Sequence, residues 1–133
     1  MKKLTSILLA ASFLLLLFFF GCDDSNPTDI VIPSKNVSYS KYIQPLFNIS
    51  CAISGCHDNS TSAGGLALIS WSTTVANPQI VFPYNADNSI LVWAVQGRAE
   101  TNPMPPINST IPPLTQNQIT GIITWINEGA QNN

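Results

Sequence analysis

The sequence predicts a mainly α fold, a small helical domain running from about Ser38 to Ala130. Apolar residues recur at helical spacing in three separate segments. The last of these opens with a capping box, Thr115 and Gln118, and the last two are followed by stop glycines, Gly97 and Gly129. A domain of this length has a marginal core when it folds alone, so a staple or a bound group is expected to complete it.

Residues 1–22 read as an export signal. Lys2-Lys3 is the charged start, Ile7 to Phe20 the apolar stretch, and Gly21-Cys22 its close. A small residue followed at once by cysteine is similar to the bacterial lipoprotein signal, in which the cysteine, here Cys22, is lipidated. Phe19 and Phe20 depart from that pattern, and an uncleaved anchor is the alternative, although the apolar run is short for a full span. Either way the domain is expected in the cell envelope, periplasmic or at the cell surface, on a membrane tether. Asp23 to Val37 has no apolar period and is rich in Ser, Asn, Pro and Thr, which predicts a flexible spacer.

Tyr39, Ile43, Leu46 and Phe47 predict a first helix after Ser38 as N-cap, with Pro45 placed to kink or shorten it. Asp58 to Gly65 reads as a polar loop, followed by the apolar turn Leu66-Ala67-Leu68. Trp71 to Val75 predicts one helical turn stopped by Asn77-Pro78. Asp87-Asn88-Ser89 offers N-caps for a helix through Ile90–Val95, whose apolar faces nearly all round predict deep burial. Trp93 within it is expected against the core or a bound cofactor. In the last helix Ile119, Ile122, Ile123 and Ile126 form the stripe, with Trp125 beside it. Between the last two helices lies a stiff loop, Pro103-Met104-Pro105-Pro106.

Cys51-Ala52-Ile53-Ser54-Gly55-Cys56-His57 is the segment richest in chemistry. A cysteine pair ending in Cys-His is how haem is fixed covalently to protein, usually as C-x-x-C-H. Here four residues separate the cysteines instead of two. Adjacency of Cys56 and His57 is the part that cannot vary, because the second thioether must hold the macrocycle beside the imidazole. The loop can lengthen if it bulges outward, and Ser54-Gly55 supplies the backbone freedom. Scarcity supports this use. His57 is the only histidine, Met104 the only methionine besides Met1, and Cys51 and Cys56 the only cysteines besides Cys22. Two thioethers, one proximal imidazole and one distal thioether sulfur are thus each available once. A plain disulfide between the two cysteines is the bland alternative in an exported protein. A structural zinc site wants four Cys or His ligands, and three are present. A thioredoxin-like pair has different spacing and a βαβ setting that is missing here.

Without Lys2 and Lys3, three basic residues (Lys35, Lys41, Arg98) face seven acidic ones. That balance argues against nucleic acid as a partner. Arg98 is the one cation in the distal half and a candidate for pairing with a haem propionate, a solvated surface arginine being the alternative.

In this order the elements resemble the class I c-type cytochromes. More closely, the runs Tyr42-Ile43-Gln44-Pro45-Leu46-Phe47, Gly64-Gly65-Leu66-Ala67-Leu68, Asn88-Ser89-Ile90-Leu91, Met104-Pro105-Pro106 and Ile123 to Ala130 resemble the planctomycete-type cytochrome c domain. The resemblance implies a helical fold wrapped around one covalent haem c. Cys51 and Cys56 would form the thioethers, His57 the proximal ligand and Met104 the distal one. It also implies that the first and last helices cross, with Phe47 and Trp125 at the contact.

The expected function is electron transfer between redox partner proteins of the envelope, with no substrate transformed. A peroxidase-like haem enzyme would need a displaceable sixth ligand and a polar distal group, and no second histidine exists. A haem-free, disulfide-stapled envelope lipoprotein with a structural or adhesion role is the remaining alternative.

Overall fold

The computed structural model describes residues 30–133, and among these it contains helices and turns with no strand. The export signal, Cys22 and residues 23–29 of the expected tether lie outside the described residues. No described helix is long and apolar enough to cross a membrane.

A π-helical turn, Tyr39–Ile43, runs into helix α1, Gln44–Ser50. Ser38 caps the turn by accepting from the Lys41 N–H, as its side chain predicts. Pro45 explains the change of winding. It has no N–H to donate, so it falls in the first turn of α1, and the Gln44 N–H reaches back five residues to the Tyr39 carbonyl. Helix α2, Trp71–Thr74, is the single turn expected, closed at its start by a Ser70–Thr73 capping box. A 3-10 turn at Ala86–Asn88 leads to Ser89 and helix α3, Ile90–Gln96, which Gly97 ends at φ 64°. Helix α4, Gln116–Asn127, carries the expected Thr115–Gln118 capping box.

The core joins α1, α3 and α4. Ile43, Leu46, Phe47, Val92, Ile122 and Ile126 are fully buried. The expected Phe47–Trp125 contact runs through a third ring. Tyr39 meets Phe47 edge-on at 6.5 Å and Trp125 at 5.2 Å, so the π turn carries aromatic contact from one helix to the other.

The buried face of α4 is rotated from the expected stripe. Ile122 and Ile126 are buried, but Gln118, Gly121 and Trp125 complete the face, while Ile119 and Ile123 stand at its margin. The reason is a segment expected to be a loose spacer. Residues 30–37 pack along α4, with Ile32 and Val37 buried. The Asn117 amide pairs with both backbone groups of Ile32 at 2.8 and 2.9 Å, and the Glu128 carboxylate accepts from the Asn36 and Val37 N–H groups. Isolated polar residues concealed this strap, because its bonds are made by side chains some 90 positions away.

Gly121 shows how closely the strap fits. A Cβ at 121 would lie 2.5 Å from Ile32 Cγ2 and 2.7 Å from Ile32 Cβ, inside contact distance. Gly121→Ala would gain about 1 kcal/mol of helix propensity yet overpack a filled interface, a cost of about 1–3 kcal/mol. The expected outcome is a net loss of stability in denaturant titration. Ile32→Ala in the same chain should recover part of it, so the two changes together cost less than their sum.

Candidate functional site

The segment Cys51–His57 is held at both ends by main-chain bonds. The Phe47 carbonyl, at the end of α1, accepts from both the Cys51 and the Ala52 N–H at 2.8 and 2.7 Å. The His57 N–H returns to the Cys51 carbonyl at 3.1 Å, so the long loop closes on itself and its two ends lie together. Gly55 takes φ 85° in this loop, and an added Cβ would meet nothing within 4 Å. Ser54 and Gly55 are exposed. Ser54 therefore faces solvent, while Ile53 and Gly55 border the site together with both cysteines.

His57 is oriented by a backbone acceptor. Its Nδ1 lies 3.1 Å from the Leu66 carbonyl, which can only accept, so Nδ1 carries the proton and Nε2 keeps its lone pair for a metal. Gly64 and Gly65, at φ 64° and 76°, make the tight turn that brings Leu66 back to the imidazole. The His57 carbonyl in turn accepts from the Leu68 N–H at 2.9 Å. Across the site, Met104 is fixed by its own N–H, which donates to the Ala94 carbonyl near the end of α3 at 2.9 Å. The Met104–Pro105 peptide is cis.

His57 and Met104 line one cleft. It has two adjoining lobes, and both are bordered by Cys51, His57, Ala63 and Met104. The first lobe adds Ser50, Cys56, Pro106 and Ile111, and the second adds Leu66, Leu68, Ile80, Ile90, Leu91 and Ala94. The walls are mainly apolar and carry no lysine or arginine. Burial, followed by the nearby Cys56, pushes the Cys51 thiol up to about 12, so it stays protonated at neutral pH. Both thiols are unbridged. The Ser50 hydroxyl is buried without a hydrogen-bond partner among the described residues.

Residues 54–108 match the family described as Planctomycete cytochrome C. The match takes in Cys56, His57 and Met104, while Cys51, α1 and α4 fall outside it. It spans less than half of the 133-residue chain and supports a cytochrome c-like domain with haem as the class of cofactor. No curated protein and no solved structure matches the chain.

The residues present fit a haem. Two thiols, an imidazole with Nε2 free of protein partners and a thioether border one apolar cleft, and the orphaned Ser50 hydroxyl shows a wall left unfinished by protein atoms alone. No group of three or more His, Cys, Asp and Glu residues converges as a metal site among the described residues.

Two expected neighbours stand elsewhere. Trp93 is on the outer side of α3, beside Pro78 and Phe82, where its indole N–H donates to the Asp87 carbonyl at 2.6 Å. Ile90 and Ala94 face the cleft in its place, which is why α3 is not buried all round. Arg98 lies at the surface with Gln96 and Asp87, its guanidinium 3.8 Å from an Asp87 carboxylate that is 92% exposed. It borders neither lobe of the cleft, and a pair so exposed contributes little.

The Leu66 carbonyl is the functional group that residue types alone do not announce. The only hint is Gly64-Gly65, since a glycine pair marks a turn but not what the turn brings together.

The two thiols should differ in reactivity. In haem-free, reduced protein at pH 8, iodoacetamide should label half-exposed Cys56 at least tenfold faster than buried Cys51, read by peptide mass spectrometry. Addition of denaturant should bring the two rates together.

Proposed function

We propose that this chain is a membrane-tethered monohaem c-type cytochrome that carries electrons between redox proteins of the cell envelope. The observation that carries the proposal is the placing of His57 and Met104 on one apolar cleft whose wall also holds Cys51 and Cys56. Cys51 and Cys56 would hold the haem through thioethers, with His57 Nε2 and the Met104 sulfur as iron ligands. A bound haem would supply a one-electron centre, its iron alternating between the ferric and ferrous states.

The chain's own contribution is positioning and an apolar lining. The Leu66 carbonyl fixes the imidazole tautomer and ring orientation, so no reorganisation of His57 is required when the charge of its partner changes. The Met104 loop is tied to α3 by a main-chain bond and flanked by Pro103, Pro105 and Pro106, which restrict its backbone. Leu66, Leu68, Ile90 and Leu91 give one lobe of the cleft an apolar wall. These are the requirements of a carrier that transforms no substrate. Lipidation at Cys22 would keep the domain at a membrane, and the strap at 30–37 would join that anchor to the folded body.

The test is production in a host competent for cytochrome c maturation, followed by a haem stain after denaturing electrophoresis and a pyridine haemochrome spectrum. The wild-type chain should retain haem through denaturation, and Cys51→Ala with Cys56→Ala should lose all of it. Absence of covalent haem in the wild type, in cells that mature a control cytochrome, would overturn the proposal in favour of a haem-free envelope lipoprotein.

A further inference from the structure

We propose that Gln44 is a positioning residue for His57, acting through the Leu66–Leu68 segment. The proposal rests on the haem-binding reading above and names the residue that sets the hydrogen bond behind the proximal imidazole.

Gln44 stands where the π turn passes into α1, and its amide is fully engaged. Its Oε1 accepts from the Tyr39 hydroxyl at 2.6 Å, while its Nε2 donates to Asn48 Oδ1 at 2.7 Å and to the Leu68 carbonyl at 3.0 Å. An amide nitrogen has two protons, and both are used. Tyr39 is itself buried against Trp125 and lies 3.0 Å from the Thr74 hydroxyl, so the acceptor end of the amide is anchored to the core.

The segment held by Gln44 is the one that orients His57. Leu68 donates its N–H to the His57 carbonyl at 2.9 Å, and two residues earlier the Leu66 carbonyl receives His57 Nδ1 at 3.1 Å. Leu66–Leu68 is thus clamped from both sides, by the main chain and ring of His57 on one and by the Gln44 amide on the other. Among the described residues, the Gln44 amide is the one side-chain donor to this segment besides the imidazole. Releasing that donor leaves the Leu68 carbonyl unpaired and lets the segment move away from the imidazole. A weaker Nδ1–H···O=C bond makes the imidazole a poorer electron donor, which favours ferrous over ferric iron.

Gln44→Leu removes the amide at nearly constant volume. The equilibrium constant for reduction of the matured variant should rise about threefold to tenfold, a tenfold change being ~59 mV for one electron. In the haem-free protein, nitrogen NMR should show His57 losing its preference for the Nδ1–H tautomer. Asn48→Ala removes the other Nε2 partner and leaves the Leu68 bond in place, so it should move neither readout. Gln44→Met serves as the second variant if Gln44→Leu does not fold. A role confined to stability would lower the melting temperature of the Gln44 variants with the potential and the tautomer unchanged, and that result overturns the inference. An equal shift in Asn48→Ala would overturn it as well. Failure of the wild type to mature with haem is a separate outcome, which counts against the proposed function, whereas the tautomer measurement on haem-free protein still decides the role of Gln44.

Discussion

The hydrogen bond between His57 Nδ1 and the Leu66 carbonyl, 3.1 Å long, is the constraint around which the site is arranged. An imidazole free to rotate about its side-chain torsions would present either nitrogen to the cleft. With Nδ1 committed as a donor, only Nε2 remains for a metal. That bond needs Leu66 beside His57, and this proximity depends on Gly64 and Gly65 in a left-handed backbone, on the Leu68 N–H and on the closure of His57 onto Cys51. Local chain geometry, not a long-range ion pair, therefore sets the chemistry.

The helical plan was legible because its signals are local. The Thr115–Gln118 box, the Ser38 cap and the Gly97 stop are side-chain to backbone interactions within one turn, and each is found where its residue types place it. What was hidden depends on distant partners. The strap at 30–37 has the composition of a spacer, yet it is held by Asn117 and Glu128 from the far end of the chain. Its packing turns α4 so that Gly121 and Gln118 face inward, which an apolar stripe of isoleucines does not reveal.

The same distinction applies to the site. Cys51, Cys56, His57 and Met104 stood out because each chemistry is present in the number required, and the fold brings all four to one cleft. Trp93 and Arg98 stand out by residue type alone, an aromatic in an apolar helix and a lone cation. Both instead lie beside Asp87, whose carbonyl takes the indole N–H and whose carboxylate is 3.8 Å from the guanidinium. The cleft is left with apolar walls and no cation, an environment suited to a macrocycle with a dry face.

Under the proposed function, His57 and Met104 would both be ligands to the iron of one haem in this cleft. The most direct measurement is the proton NMR spectrum of the reduced, matured protein. The expected result is a methionine methyl resonance displaced far upfield by the ring current of the macrocycle and assigned to Met104 by its loss in Met104→Ala. A haem-bearing wild-type protein with no such resonance would contradict it, since the thioether would then lie away from the iron.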